Sequence, residues 1–413
     1  MLATYLKRPL TLERYRSGPA GPHLDWFTDW LEERGYQPRH IHYLLQGLQH
    51  FSLWAQEAGL TSQELDAKAL EAFRQELQRQ QRLRYPCGSY SNLFAGARHL
   101  VTFLEVTGQL APLESCPSAS SEPQLLVEFR RWMEIHRGTT TATLNSYQRP
   151  LIRLLETLGD QPAQYDARTL RAFILDHARR YSAGRAQTVV TSVRMFLRFL
   201  ISTGRCTPGL DDAIPTIAWW RLASLPKYLS SESVERVIAS CDLTTLMGIR
   251  DRAVLLLLAR LGLRAGDVAA LKFRDLDWRV GTLEVSGKTR RHNRLPLPQE
   301  VGDAILHYLN HRPQMGHDRV FLTTTAPIKG LSYNAVSRIA TQAMHRAGVE
   351  TSVYGAHVLR YSAATEMLRQ GVPLLAIGAV LRHASVETTV GYAKVDLQLL
   401  QQVVRPWPED MTC

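Results

Sequence analysis

The chain has 413 residues, with 49 Lys and Arg against 38 Asp and Glu and a formal net charge of +11 at pH 7. Apolar residues make up 45% and charged residues 21%, a globular balance that excludes a largely disordered chain. The length suits two to four domains, and the positive excess favours a polyanionic partner, nucleic acid ahead of an acidic membrane surface.

The cysteines exclude more. Cys87, Cys116, Cys206, Cys241 and Cys413 are odd in number, far apart and free of any Cys-x-x-Cys pairing, so neither a disulfide framework nor a zinc site is expected. The opening stretch MLATYLKRPLTLERYRSG is too polar for a signal peptide. The most apolar run, AVLLLLARLGL from Ala253 to Leu263, is broken by Arg260. It is too short to span a bilayer and reads as a buried helix. A soluble, cytoplasmic protein with no membrane partner is expected.

Two Pro-rich stretches punctuate the chain: GQLAPLESCPSASSEPQ from Gly108 to Gln124, and CTPGLDDAIPTIAWWRLASLPKYLSSES from Cys206 to Ser233. Such segments resist helix and sheet and mark boundaries. The expected parts are residues 1–115, 122–210 and 227–413.

The first two parts read as tandem helical bundles. LDAKALEAFRQEL (Leu65 to Leu77) matches YDARTLRAFILDH (Tyr165 to His177), so that Asp66, Leu70 and Phe73 correspond to Asp166, Leu170 and Phe173. Farther on, VTFLEVTG (Val101 to Gly108) matches LRFLISTG (Leu197 to Gly204). Apolar residues recur at three- and four-residue spacing, and each copy closes on a Gly suited to a helix C-terminus. Between Arg168 and Arg205 there are eight Arg and one acid, Asp176. A solvated face normally mixes both signs, and the guanidinium fork grips phosphate oxygens in pairs. Arg185, Arg194 and Arg198 are therefore candidate DNA contacts, the last two sharing a helical face.

The third part is mixed. SESVERVIASCD and GIRDRAVLLLLARLGL read as helices. TLEVS and RLPLP read as short strands around the basic turn GKTRRHN, and the pattern is helical again from PQEVGDAILHYLNHRP onward. The fold class expected is mainly α: two small helical bundles, then an α-rich domain with a small antiparallel sheet.

Four places in this part set polar residues against an apolar background. LGLRAGDVAAL carries Arg264 and Asp267, which alone could be a cap or a surface ion pair. SGKTRRHN carries Lys288, with Arg290 and Arg291 as further candidate DNA contacts. It lacks the first Gly of a P-loop, since Thr282 stands there, so no ATP site is expected. HVLRYSAATEML carries His357 and Arg360. LRHASVETTVGYAKV carries His383 and, nine residues on, Tyr392. His307 and His311 lack the Glu of a metalloprotease motif and read as surface residues.

Each of these residues has an ordinary structural reading; the set has a chemical one. Two Arg can hold a phosphate and offset charge on its oxygens in a transition state. A Lys can protonate a leaving alkoxide, a His can take a proton, and a Tyr can be the nucleophile. No metal or other cofactor is expected.

These motifs, from Leu225 to Val404, resemble the tyrosine recombinases, or phage integrase family. The resemblance implies that Arg264 and Arg360 bind phosphate, with Asp267 supporting the first arginine box. It implies that Lys288 is the general acid toward a 5′-hydroxyl, His357 the proton acceptor, His383 a ligand of a phosphate oxygen, and Tyr392 the nucleophile. It implies cleavage and rejoining of double-stranded DNA through a 3′-phosphotyrosyl link without ATP, by a homo-tetramer on two duplexes, with or without helper recombinases. The part 122–210 is similar to the core-binding domain of the family. A C-terminal helix bearing Leu397, Leu400, Val403 and Val404 is expected to dock on a neighbouring subunit. Two positions depart from the pattern. Arg382 stands where the family has Gly, which implies changed packing or an added phosphate contact, and Asp267 stands where Glu is common. A type IB topoisomerase shares this chemistry, and a non-catalytic DNA-binding regulator shares the fold; the intact set of six catalytic positions disfavours the regulator.

Overall fold

A computed structural model of the chain describes residues 2–6, 8–84, 90–109, 123–217, 227–286, 292–382 and 389. These fold into two compact units. One combines Met1–Pro112 with Ser224–Cys413, and the other is Leu113–Ala223.

The N-terminal bundle consists of α1 (Pro9–Arg16), α2 (Leu24–Glu33), α3 (Pro38–Glu57), α4 (Ala67–Arg84) and α5 (Tyr90–Val106). Its core is the apolar stripe of each helix, with Phe27, Leu45, Leu48, Phe51, Phe73 and Leu104 all buried. The second unit consists of α6 (Gln124–Arg137), α7 (Thr141–Leu158), α8 (Ala167–Arg180) and α9 (Ala183–Ser202). It closes over Phe129, Leu154, Leu170, Phe196 and Leu200.

The sequence repeat is a repeat of local structure. Asp66 accepts from the backbone N–H groups of Lys68 and Ala69, and Asp166 from those of Arg168 and Thr169. Each carboxylate thus satisfies N–H groups that the first helical turn leaves unpaired. At the other end, Thr107 Oγ1 donates to the Phe103 carbonyl and Thr203 Oγ1 to the Phe199 carbonyl. Gly108 and Gly204 then turn the chain at φ 68° and 70°.

The C-terminal part, described from Lys227, is built on α11 (Leu246–Arg260), whose Ala253–Leu258 stretch is fully buried. The apolar run read as a buried helix is thus the spine of this core. Arg260 ends the helix at the surface, where it pairs with Glu235 and Glu300. Around α11 pack α10 (Ser231–Ala239), α12 (Ala265–Ala270), α13 (Gln299–His311), α14 (Tyr333–Arg346) and α15 (Ala356–Arg369), followed by α16 (Leu374–Leu381). A three-stranded antiparallel sheet, β1 (Leu276–Asp277), β2 (Thr282–Ser286) and β3 (His292–Pro296), lies in the order β1-β2-β3. Glu284 pairs with Arg294, and the hairpin closes at Ser286 opposite His292. The mainly α fold with a small antiparallel sheet is as the residue pattern predicts.

Within the first unit the N-terminal bundle and the C-terminal part touch. Ile328 donates its backbone N–H to the Arg34 carbonyl at 2.9 Å, and Ala326 packs on the N-terminal core. Gly35, at φ 77°, leaves room for this contact: a Cβ there would lie 2.5 Å from Ile328 Cδ1. Among the described residues no helix is long and apolar enough to cross a membrane. Cys206 and Cys241 are free and buried.

Candidate active site

The site forms where α11, α12, α15 and α16 meet. After α11 the chain turns at Gly262, φ 57°, where a Cβ would lie only 2.6 Å from Leu381 Cδ2. Only glycine fits this backbone and this gap. Arg264 follows as the residue that caps α12, and the Asp267 carboxylate accepts its backbone N–H at 3.2 Å. The carboxylate sits in the first turn of the helix, where the dipole favours negative charge.

Arg360 comes from the middle of α15 and is 7% exposed. Its Nη1 donates to the Gly262 carbonyl and its Nη2 to the Leu381 carbonyl. Arg264 Nη2 donates to the next carbonyl along, Arg382 O, at 2.9 Å. The two arginine boxes are far apart in sequence, yet their guanidinium groups meet on two successive carbonyls at the end of α16. Those carbonyls are available because the last turn of a helix leaves them without intrahelical partners.

His357 opens α15 from the other side. Gly355 precedes it at φ 123°, a conformation for glycine, and a Cβ there would crowd Ser337 Oγ at 2.9 Å and His357 Nδ1 at 3.4 Å. The imidazole stays accessible and stands edge-on to Tyr361, with ring centroids 6.0 Å apart. Partial burial by the surrounding protein lowers its pKa from the ordinary 6.5, which favours the neutral ring that can accept a proton. His357 and Arg360 share a helix, but Arg360 is turned into the core and His357 outward.

Of the other candidates, Lys288, Arg290, Arg291, His383 and Tyr392 lie outside the described residues, as does the tail bearing Leu397, Leu400, Val403 and Val404. Thr389 is described: it is buried against α16, and its Oγ1 would lie 2.9 Å from a Cβ on Gly378. His307 and His311 form an ordinary turn-to-turn pair on α13, with His311 Nδ1 2.9 Å from the His307 carbonyl oxygen.

In the second unit the arginine-rich stretch divides. Arg194 Nη2 donates to the Ile214 carbonyl at 3.0 Å, and Arg198 pairs with Asp211 at 3.0 Å. Arg171 likewise donates to the Ala213 carbonyl. These side chains tie down the segment after α9, a use that the sequence pattern does not reveal. Arg185 instead lies over the Tyr181 ring, 5.1 Å from its centroid. It joins Arg149, Arg153, His177 and Tyr181 around an open groove of about 520 Å³. Arg149 and Arg153 were missed because they precede the acid-poor stretch. The signal that could have found them is the four-residue spacing that puts both on one face of α7.

Comparisons with known proteins agree with this architecture. The phage integrase family model matches residues 227–398. A protein of Sinorhizobium fredii (strain NBRC 101917 / NGR234), named "Putative integrase/recombinase y4rA", is 34% identical over 412 residues, covering 98% of each chain. The tyrosine recombinase XerD of Listeria monocytogenes (serotype 4b, strain F2365) is 27% identical over 297 residues, 68% of this chain and 97% of its own. The fold is shared with a lambda integrase tetramer bound to a Holliday junction, at a TM-score of 0.51 and 18% identity over 74% of this chain and 88% of that one. The chain belongs to the phage integrase family, and it is a site-specific DNA recombinase of the tyrosine class.

Proposed function

We propose that the chain cuts and rejoins double-stranded DNA through a 3′-phosphotyrosyl link to Tyr392, moving a mobile element. The observation that carries this reading is the convergence of Arg264 and Arg360 on the carbonyls of Leu381 and Arg382, immediately before the segment that holds His383 and Tyr392. Two guanidinium groups fixed side by side suit the equatorial oxygens of a phosphodiester.

In the proposed step the Tyr392 phenol oxygen attacks phosphorus and its proton passes to His357. The bond from phosphorus to the 5′-oxygen breaks, and Lys288 protonates that oxygen. A 5′-hydroxyl from a second duplex then attacks the phosphotyrosine and restores the phenol. Each step exchanges one phosphodiester for another, so the energy of the broken bond is retained and ATP is not needed. Phenol has a pKa of about 10 and is a weak nucleophile at pH 7. The neutral state of His357 and the field of the two arginines answer that weakness, each such group typically contributing ~10²–10⁴-fold in rate.

The relative bound to a Holliday junction is a tetramer, and we assign this chain the same assembly on two duplexes in the cytoplasm. Residues 122–210 act as the core-binding domain, with Arg149, Arg153 and Arg185 along the phosphate backbone. Residues 1–115 form an added helical domain beside the catalytic part, 227–413.

The test is covalent trapping in cells. Cells expressing the native chain or Tyr392→Phe are lysed in strong denaturant, and DNA attached to the protein is sequenced. Adducts with the native chain alone are expected. Adducts with the Phe variant at native levels would refute the nucleophile, and none with the native chain would refute the reaction.

A further inference from the structure

Arg382 is held in a conformation that an ordinary side chain avoids. It ends α16 at φ 55°, ψ 49°, and it is the one non-glycine residue with positive φ among the described residues. Glycine would make the same turn without strain, so the turn alone does not account for an arginine. Nor does its side chain go to solvent. It is 3% exposed, with Nη2 2.6 Å from Asp267 Oδ2, and the Asp267 side chain is 11% exposed.

The pair is also a poor device for stability alone. Arg382 Nε and Nη1 are buried and have no hydrogen-bond partner among the described residues. A buried charge with two unpaired donors is costly to the fold, and an apolar pair of the same shape is commonly as good or better.

What the pair does is grip Arg264 at both ends. Asp267 Oδ2 accepts the Arg264 backbone N–H and also the Arg382 guanidinium. The Arg382 carbonyl accepts the Arg264 guanidinium, and the carbonyl just before it accepts Arg360. Residues 264, 267 and 382 therefore form a closed circuit: backbone to carboxylate, carboxylate to guanidinium, then from the carbonyl of that residue back to the first side chain. If Arg382 shifts, so do both the carboxylate that sets where α12 starts and the acceptor that aims Arg264.

We propose that Arg382 is a positioning residue for the phosphate-binding arginines, acting on Arg264 through Asp267 and through its own carbonyl. The proposal rests on the strand-cleavage reading above. It assigns Arg382 a role in the rate of cleavage and none in grip on DNA, because its guanidinium is committed to Asp267 and buried.

The experiment uses the full chain and the duplex recovered by covalent trapping of the native protein. Single-turnover adduct formation at saturating protein gives the cleavage rate, and fluorescence anisotropy on the same duplex gives affinity. The variants are Arg382→Gly, which suits the backbone, Asp267→Asn, which keeps an acceptor for the Arg264 N–H, and the double variant. The result expected is a loss of tenfold or more in rate for each single variant, with affinity within twofold. The double variant should be no slower than the slower single one, because the two residues act as a unit. Amide exchange in α15 and α16 should match the native chain. Three outcomes overturn the proposal: Arg382→Gly cleaving within twofold of native, a loss confined to affinity, or single losses that multiply in the double variant. Should Arg382→Gly lose amide protection in α15, the isosteric Asp267→Asn decides. If the native chain traps no DNA, the cleavage reading falls and takes this proposal with it. If only the Tyr392 assignment fails, the Arg382 comparison still stands.

Discussion

Replacing Gly262 by Ala puts a single methyl group at the tightest point of the site. The residue sits at φ 57°, and the new Cβ would be 2.6 Å from Leu381 Cδ2 and 3.6 Å from Ala363 Cβ. The second distance is ordinary contact; the first is not. Leu381 is fully buried, so its side chain has little space into which to move. The left-handed backbone costs ~1 kcal/mol once a Cβ is present, and crowding a packed core typically adds ~1–3 kcal/mol. Together the loss is ~2–4 kcal/mol, which speeds cooperative amide exchange by roughly 30- to 1,000-fold. Hydrogen exchange read peptide by peptide is the assay, because a chain of several cores has no single unfolding transition. The acceleration should fall on α11, α15 and α16. Cleavage should slow as well, since the Gly262 and Leu381 carbonyls accept from Arg360. Gly266→Ala is the control in the same motif: nothing lies within 4 Å of a Cβ there and its φ is ordinary. A helical Gly→Ala change of this kind is neutral or stabilising by up to ~1 kcal/mol. Native exchange rates in Gly262→Ala, or equal damage from Gly266→Ala, would refute the reasoning.

Further outcomes follow from the geometry. Arg185→Ala should lower the slope of log affinity against log salt by about 0.9, the signature of one lost phosphate contact. Arg198→Ala should leave that slope unchanged and loosen residues 205–214 in hydrogen exchange, because its partner is Asp211. Cleavage should fall as pH drops through the lowered pKa of His357 and stay level above it, since only the neutral ring accepts a proton. The same depression makes the folded state the weaker proton binder, so the stability contribution of this ring is present above ~6.5 and lost as pH falls through its folded value. His357→Gln should remove the acid limb of the rate profile; an unchanged limb would exclude the ring as its source.

What could be read in advance was local. Asp66 and Asp166 announce helix starts because a cap acts within three residues, and the run from Ala253 to Leu258 announces a buried spine by its composition. Arg264, Arg360 and His357 could be singled out because each lies in a short stretch with recognisable neighbours. What could not be read was a matter of partners far off in the chain. The sequence shows the arginines of α9 as a basic run and does not show that residues 205–214 fold back to meet Arg194 and Arg198. Arg382 and Asp267 were visible as two separate departures from the family pattern, yet their meaning lies in a 2.6 Å contact between them. Two unusual residues of opposite charge are the trace such a contact leaves in a sequence.

The handhold between Arg34 and Ile328 has a consequence for biogenesis. The N-terminal bundle carries its own apolar core, so it can fold as soon as it leaves the ribosome. At ~5–20 residues per second, however, many seconds pass before Ile328 emerges. During that interval the face around Arg34 and Gly35 has no cognate surface in its own chain, while the second bundle is made and folds. A nascent chain stopped short of Ile328 would therefore hold two finished bundles and a bare docking face. Capture of the N-terminal bundle thus waits on synthesis of the C-terminal part as far as Ile328.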